Sequence, residues 1–207
     1  MKPTDEALLV RWQQGDQSAG KALVERYYDA VARFFRNKIN GDVADLIQDT
    51  FAKLVGGHHR VRDRSRFRAF LFSIAYHVLN DHLRGQYRDR PNLDFQELSV
   101  ADLAPGPGTV AWRNQEERLL LEALRNVPID YQVLLELRYW EELKTADIGV
   151  VLDIPHGTVR SRLHRAHDLL RQAMERLAQS AEQLESTMAR LSDWARACRA
   201  RVDGVSA

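Results

Sequence analysis

Three aspartates and two histidines are spaced so that they could bind a metal ion and catalyse hydrolysis. Asp42, Asp45 and Asp49 are three and four residues apart, so on a helix they share one face. His164 and His167 have the i, i+3 spacing of two metal ligands on one helical turn. No nucleophile or further ligand cluster completes either set, so we expect no metal, no cofactor and no enzymatic activity. The aspartate face fits a protein-docking surface better than a catalytic one, and fits an ordinary solvated surface about equally well.

A basic helix after a short turn is the most informative feature of the chain. One helical pattern ends at Asp153-Ile154-Pro155 and a longer one begins at His156. Two helices joined by such a turn form a helix-turn-helix. Arg160, Arg162 and Arg165 lie mostly off the apolar stripe of the second helix, where arginines can read guanine in the DNA major groove. The alternative is a helical hairpin with a solvated basic face, which the agreement of turn, small residues and arginines disfavours.

A second basic segment suits single-stranded nucleic acid. It reads RVRDRSRFR and carries an arginine at every other position: Arg60, Arg62, Arg64, Arg66 and Arg68. The helix that follows bears Phe72, Tyr76 and His77 outside its expected core stripe. Arginines can track phosphates while exposed rings stack on unpaired bases. The alternative is a solvated loop with some of these rings packed inside.

Apolar residues recur along the chain at steps of three and four, which is the periodicity of an α-helix. The residues discussed above must therefore be positioned by helices. The pattern predicts helices over about 5–14, 18–40, 42–55, 65–84, 110–127 and 130–141, followed by the helix-turn-helix. Thr4 or Asp5 is the expected cap of the first helix. Prolines, glycines and acids between 89 and 109 indicate a linker. We therefore predict an all-α fold with a helical bundle (1–88), a flexible acidic linker (89–109), a helix-turn-helix domain (110–177) and a C-terminal helical extension (178–207).

Composition limits the functional classes. The chain has 207 residues and a formal net charge of only +1, so nucleic-acid binding must come from local basic patches. Cys198 is the only cysteine, which excludes an intramolecular disulfide framework and fits a reducing cytosol. No apolar run reaches the roughly 20 residues of a membrane span. The expected localisation is therefore cytoplasmic, without a membrane span.

The end of the chain continues a heptad-like apolar seam without glycine or proline from Val159 to Asp203. Its members are Leu170, Met174, Leu177, Ala181, Leu184, Met188, Leu191, Ala195, Cys198 and Val202. We expect a helix that bends near Gln179-Ser180 and folds back. Simple packing on the preceding domain and a regulatory contact both remain open as its role.

These elements together resemble the extracytoplasmic-function (ECF) sigma factors. DLIQDTFAKL from Asp45 and FRAFLFSIAYHVLNDHLR from Phe67 are similar to region 2 of that family. The segment from Val127 to Arg171 is similar to region 4. The resemblance implies an alternative sigma factor that binds core RNA polymerase and directs promoter recognition and transcription initiation, with no enzymatic activity of its own.

The resemblance also assigns roles to residues. It implies docking on the coiled coil of the polymerase beta-prime clamp by Asp45, Gln48, Asp49, Phe51 and Leu54. It implies minus-10 recognition by Arg60, Arg62, Arg64, Arg66, Arg68, Tyr76, His77 and Arg84. It implies minus-35 recognition by Thr158, Arg160, Ser161, His164 and Arg165. The beta flap would be a second polymerase contact, and the linker would thread the polymerase cleft.

Several positions depart from the family pattern. Asp153 stands where the turn usually carries glycine, and aspartate tolerates the left-handed backbone that such a turn needs. Tyr76 and His77 stand where arginine and asparagine are frequent, and His164 stands where larger or aromatic residues are also common, so the resemblance defines neither the minus-10 nor the minus-35 sequence. The alternative function is a sigma-mimic adaptor, which binds an anti-sigma partner without promoter recognition. Retention of Arg160, Arg162 and Arg165 favours a sigma factor, and an anti-sigma factor is left open as a further partner.

Overall fold

The computed structural model describes residues 3–87, 97–103, 115–178, 185–186 and 188–189. The N-terminal domain contains α1 (Asp5–Gln13), α2 (Gln17–Arg36), α3 (Ala44–Gly57) and α4 (Phe67–Gln86), with short 3-10 helices at His58–Arg60 and Arg64–Arg66. A short helix, α5 (Val100–Leu103), follows the N-terminal domain and precedes the C-terminal domain along the chain. The C-terminal domain contains α6 (Gln115–Arg125), α7 (Ile129–Tyr139), α8 (Thr145–Leu152) and α9 (His156–Leu177). The predicted all-α fold of two helical domains is confirmed.

Side-chain caps start the first two helices. The Thr4 hydroxyl accepts a hydrogen bond from the Ala7 amide at 3.2 Å, which confirms the expected cap of α1. At α2, the Asp16 carboxylate accepts from the Ser18 amide at 2.9 Å. Hydrogen bonds from the Ser18 hydroxyl and from Arg11 lower the pKa of Asp16 to about 2. Asp16 therefore remains a charged acceptor across the physiological range.

Aromatic side chains fill the core of the N-terminal domain. Gly20 lets α1 approach α2, since a Cβ there would lie 2.5 Å from the Trp12 ring. Phe72 is fully buried and meets Phe34 edge-on, with 5.9 Å between ring centroids. The prediction that Phe72 is an exposed ring for nucleic acid is therefore wrong. The physical reason is that α4 packs against α2, α3 and α8, so much more than one stripe of this helix is buried.

The third helix begins two residues later than predicted. Its first residue is Ala44, and the Asp42 carboxylate accepts a hydrogen bond from the Ala44 amide at 2.9 Å. Asp42 is therefore not part of the helical face that bears Asp45 and Asp49, because its carboxylate binds the start of the helix. The helix before it ends at Arg36, earlier than expected, and the following Gly41 has a φ of +109°.

The helix-turn-helix is formed by α8, the turn at 153–155 and α9. Asp153 has left-handed backbone angles, φ 53° and ψ 46°, which confirms that aspartate replaces the usual glycine in the turn. Gly149 makes the close approach possible, since a Cβ there would lie 2.9 Å from the Ile154 carbonyl oxygen. Val159 and Ala166 then bury the inner face of α9. The turn thus fixes the angle at which α9 presents its outer face.

Helix α9 does not run on as one straight rod. It ends at Leu177, and Ala178 has extended backbone angles of φ −68° and ψ 139°. Beyond it, Glu185 pairs with Arg171 of α9 at 2.9 Å, and Met188 packs against the core. The chain therefore returns to α9 after the end of the helix. The other seam positions after Leu177 lie outside the described residues: Ala181, Leu184, Leu191, Ala195, Cys198 and Val202.

The described part of the linker has local structure. The Ser99 hydroxyl accepts from the Asp102 amide at 3.2 Å, which caps α5, and the Asp102 carboxylate accepts in turn from the Ser99 amide at 2.9 Å. Val100 is buried, and the Ile129 amide donates to the Leu98 carbonyl at 3.0 Å. This segment is thereby fixed against the beginning of α7.

Candidate nucleic-acid interface

The outer face of α9 presents the residues expected to read the minus-35 element. Arg160, Ser161, His164 and Arg165 are exposed, and Thr158 is half-buried. The His164 side chain is 83% exposed. The Ser161 hydroxyl donates to the Thr158 carbonyl at 3.0 Å, which holds it on the helix surface. These five positions form one polar, basic face within three turns of a helix, a shape that suits a DNA groove.

His167 is part of the domain's packing and does not join His164 in a metal site. Its Nε2 lies 2.7 Å from the Tyr139 hydroxyl, which joins α9 to α7. Burial lowers the pKa of His167, and Asp168 opposes that shift. Over the described ranges, no group of three or more His, Cys, Asp or Glu side chains is placed to hold a metal ion.

The basic loop between α3 and α4 is anchored by hydrogen bonds to Gln13, while its arginine side chains are exposed to solvent. Gln13 donates to the carbonyls of His58 at 3.1 Å and Val61 at 3.0 Å. The Gln13 side-chain oxygen Oε1 accepts from Arg64 Nε at 3.1 Å. The remaining loop arginines, Arg60 and Arg62, are exposed. Gln13 was missed by the sequence analysis because its loop partners lie more than 40 residues away.

The other residues expected at the minus-10 element divide into two groups. His77 and Arg84 are exposed on α4. Arg66 is exposed as well, and its Nε lies 3.2 Å from Asp63 of its own loop and 3.6 Å from Asp147. Arg68 and Tyr76 are half-buried and face carboxylates of the C-terminal domain: Arg68 Nη2 lies 3.1 Å from Glu141, and the Tyr76 hydroxyl donates to Asp130 at 2.9 Å.

Burial and the nearby Asp130 carboxylate raise the pKa of Tyr76 to about 12. The Tyr76 hydroxyl is therefore protonated at neutral pH and acts as a hydrogen-bond donor. Half-burial also means that the ring is not free to stack on a base in this arrangement. The structure thus places Arg68 and Tyr76 on the border with the C-terminal domain, whereas Arg66 stays exposed beside Asp63 and Asp147.

A buried polar cluster continues from that border into the space between the domains. Lys38 Nζ lies 2.5 Å from the Glu136 carboxylate, and both side chains are almost completely buried. Arg33 Nη2 lies 2.6 Å from Glu141, which is the same carboxylate that contacts Arg68. The sequence analysis did not find this cluster. The one indication of the cluster in the sequence is that charged residues stand at positions where the helical pattern predicts apolar ones.

The expected docking face is partly exposed and partly buried. Asp45, Gln48 and Asp49 are exposed on α3. Leu54 is fully buried and Phe51 is only 8% exposed, so the expectation that these two side chains contact a partner directly is not supported by their positions. They face the core because they continue the stripe of Ile47. Their part in any docking is to hold α3 in place.

Two sigma-70 regions match the chain in the expected order. The family model "Sigma-70 region 2" matches residues 23–89, and "Sigma-70, region 4" matches residues 117–170. The first lies on the helical bundle with the basic loop, and the second contains the helix-turn-helix. Bundle and helix-turn-helix together define a protein of the sigma-70 class.

Comparison with two characterised relatives identifies the family within this class. The chain is 31% identical over 183 residues to the ECF RNA polymerase sigma-E factor of Haemophilus influenzae, a match that spans 84% of this chain and 97% of that protein. It is 32% identical over 176 residues to the protein of the same name from Escherichia coli K12, spanning 81% and 92%. The chain therefore belongs to the ECF sigma factors, which direct RNA polymerase in promoter recognition and are not enzymes.

A solved structure supports the fold. The sigma factor RpoE from Bartonella quintana, solved in complex with the anti-sigma factor NepR, aligns with a TM-score of 0.57 over 77% of this chain and 97% of that one, at 21% identity. At this identity the likeness concerns the fold alone. In the described portion of this chain, no helix combines the length and hydropathy that a membrane span needs.

Proposed function

We propose that this ECF sigma factor docks on core RNA polymerase through α3 and reads promoters with two separate surfaces, α9 for the minus-35 element and the basic loop with α4 for the minus-10 element. The observation that carries the proposal is the exposed face of α9. Four of its five polar positions, Arg160, Ser161, His164 and Arg165, are exposed on a helix that begins directly after the turn. Such a face has no role in the domain's own packing.

Arginine chemistry supports the minus-35 assignment. Arg160 and Arg165 are five residues apart on α9, so both side chains can enter the same stretch of major groove. A guanidinium can contact guanine O6 and N7 bidentately. Thr158 and Ser161, nearer the start of α9, are placed for phosphate or base-edge hydrogen bonds.

The minus-10 assignment rests on charge and on anchoring. The exposed arginines Arg60, Arg62 and Arg64 stand on a loop held by Gln13, so their backbone is positioned before any nucleic acid arrives. His77 and Arg84 extend the surface along α4. The exposed Arg66 and the half-buried Arg68 and Tyr76 are the remaining residues that we assign to this surface.

The docking assignment rests on Asp45, Gln48 and Asp49, which are exposed on one side of α3. Two large apolar side chains lie exposed in the same domain, Tyr28 at 47% and Val55 at 52%. Tyr28 stacks on Phe51 of α3, with 6.2 Å between ring centroids. Acids beside exposed apolar side chains fit a protein partner better than they fit nucleic acid. The beta-prime clamp coiled coil is the partner we assign to this face, and the beta flap the partner of the C-terminal domain.

Run-off transcription with purified core polymerase tests this function. We expect promoter-dependent transcripts from genomic fragments with the wild-type chain, and none when Arg160 and Arg165 are both changed to alanine. The matched control is Arg176→Ala, which removes an exposed arginine near the other end of the same helix. A chain that binds core polymerase but yields no promoter-dependent transcript would favour the sigma-mimic adaptor. The expected compartment is the cytoplasm, where core polymerase acts, and an anti-sigma factor remains a further proposed partner.

A further inference from the structure

The outer side of α9 is centred on three polar residues, Ser161, His164 and Asp168. Each of them stands two positions along the chain from a buried residue of the same helix, Val159 or Ala166. Two positions correspond to a rotation of about 200° round an α-helix, so these side chains lie on the side opposite the core. When α9 enters a groove of DNA, they are the side chains that reach deepest into it.

Arg160 and Arg165 flank this centre. Each stands one position from a buried residue, Val159 or Ala166, which is a rotation of about 100°. The two arginines lie on opposite flanks, because Arg160 follows its buried neighbour and Arg165 precedes its own. Their long side chains can reach bases or phosphates from the edges of the groove. The largest side chain at the centre, between the two arginines, is that of His164.

His164 can change the charge at the centre of this face. Its side chain is 83% exposed, and its Nε2 lies 4.0 Å from the carboxylate of Asp168, one turn further along α9. This contact is the one ion pair that His164 makes among the described residues. With a neutral ring, the pair carries one negative charge, whereas with a protonated ring the two charges balance. Protonation of His164 therefore removes a net negative charge from the side of α9 that meets DNA.

The next histidine on α9 serves the packing of the domain instead. His167 is half-buried, and its Nε2 lies 2.7 Å from the Tyr139 hydroxyl of α7. Within the described residues, no ion pair or hydrogen bond joins His164 to α6, α7 or α8, the helices that pack against α9. The other charged side chains beside His164 belong to α9 itself: Arg160, Arg165 and Asp168. His164 thus has the exposure that a titrating DNA contact needs, and His167 does not.

The chemistry of the imidazole ring links protonation to base preference. Histidine changes its charge between about pH 5 and pH 8, and the negative potential of DNA favours the charged form. A neutral ring has one N–H donor and one acceptor nitrogen, whereas a protonated ring has two donors and no acceptor. In the major groove, guanine presents the acceptors N7 and O6, and cytosine presents an N4 donor. A protonated ring therefore favours guanine over cytosine at the position that it faces.

We propose that His164 is the central base-reading residue of the minus-35 surface and that it reads guanine in its protonated form, so that specific binding takes up a proton. Arg160 and Arg165 contribute from the flanks without a change of charge. This inference rests on the proposed minus-35 function of α9 and adds a regulation of that surface by pH. Because the complex binds more protons than the free chain, acidification strengthens recognition of the minus-35 element.

Binding of a duplex as a function of pH tests the proposal. The probe is a duplex that the full wild-type chain enriches from a pool with a randomised core, and a scrambled duplex of the same composition is the reference. His164→Gln keeps a hydrogen-bonding side chain but has no ring to protonate. The matched control is His59→Gln, the same change at an exposed histidine of the N-terminal domain. Circular dichroism at each pH establishes that the three chains are equally folded.

We expect the affinity of the wild type and of His59→Gln for the enriched duplex to rise as the pH falls from about 8 to about 6. The affinity of His164→Gln should rise about three- to tenfold less, because at most one proton per complex is lost with the ring. Duplexes with single base changes give a second readout. Replacement of the guanine that His164 reads should weaken wild-type binding more at the lower pH, and should weaken His164→Gln equally at both.

The outcomes separate this inference from the function on which it rests. An equal pH dependence in the wild type and His164→Gln overturns the inference, while the minus-35 function stands if both chains prefer the enriched duplex. An equal pH-dependent gain on the scrambled duplex also overturns it, since a ring that only neutralises a phosphate carries no base preference. If the wild type prefers no duplex over the scrambled one at any pH, the minus-35 function itself fails, and the inference with it.

Discussion

Lys38 Nζ and the Glu136 carboxylate lie 2.5 Å apart in the space between the two domains. Lys38 also donates to the Phe34 carbonyl at 2.8 Å and lies 3.9 Å from the centroid of the Phe34 ring. Burial lowers the pKa of Lys38, and the Glu136 carboxylate opposes that shift. The pair joins the residues just after α2 to α7, so the stability of the pair is inseparable from the docking of the domains.

Lys38→Met is expected to lower the free energy of unfolding by about 3–5 kcal/mol, because it leaves the Glu136 charge buried without its cation. Lys38→Met combined with Glu136→Leu should recover most of that loss, since an apolar pair carries no unpaired charge. Urea unfolding followed by circular dichroism measures both. A double variant as unstable as the single one would contradict this account of the pair.

Replacing Arg160 or Arg165 with alanine should reduce binding to the cognate minus-35 element by about 1–3 kcal/mol, the value of one bidentate base contact. Electrophoretic mobility shifts with cognate and scrambled duplexes measure the loss. Arg176→Ala is the control and should change both affinities little. An equal loss on both duplexes would reassign the residue to a phosphate contact.

Reversing the charges of Asp45 and Asp49 to lysine should weaken capture of core polymerase, because both carboxylates are exposed on one side of α3. The control, Glu25→Lys with Glu175→Lys, makes the same change in net charge at exposed sites elsewhere. Pull-down of core polymerase is compared at equal helicity. Normal capture by the folded Asp45/Asp49 variant would exclude this face as the docking surface.

Gly149→Ala should destabilise the C-terminal domain by about 1–3 kcal/mol, the usual range for overpacking. A Cβ at this position would lie 2.9 Å from the Ile154 carbonyl oxygen, which belongs to the turn and cannot move away freely. Gly157→Ala is the matched control, since nothing lies within 4 Å of a Cβ there. A thermal melt of each variant measures the difference. Equal melting temperatures would mean that the turn tolerates the extra methyl group.

Stability should fall below pH 6.5 in part because of His167. Burial lowers the pKa of His167 below its ordinary value of 6.5, so the unfolded chain binds a proton at a pH where the folded chain does not. The unfolded state is therefore favoured as the pH drops from 6.5 towards the lowered pKa, and full stability is present above 6.5. His167→Gln retains an acceptor for the Tyr139 hydroxyl but does not titrate. Its free energy of unfolding should depend less on pH between about pH 7 and pH 5 than that of the wild type, and an identical pH dependence would contradict the assignment.

Local patterns in the sequence determined the helices and their order. Caps act over two or three residues, as at Thr4 and Asp16, so they can be read directly from the chain. The turn at Asp153 and the arginines after it are likewise local. The family itself was predicted from the resemblance of two sequence segments, in the expected order, to regions 2 and 4. The exposed face of α9 followed from helical periodicity alone.

Only the tertiary structure decided which of these residues are free to act. Lys38 and Glu136 are 98 positions apart, and Arg68 and Glu141 are 73 apart, so no local spacing could pair them. Phe72 is buried against Phe34 of α2, and Tyr76 is half-buried beside Asp130 of α7. Because α4 packs against α2 and α3 and also against α8 of the second domain, it has more packed sides than periodicity within one helix reveals. Local propensity fixes each helix, whereas the docking of two domains depends on the shape and charge of surfaces assembled from distant segments.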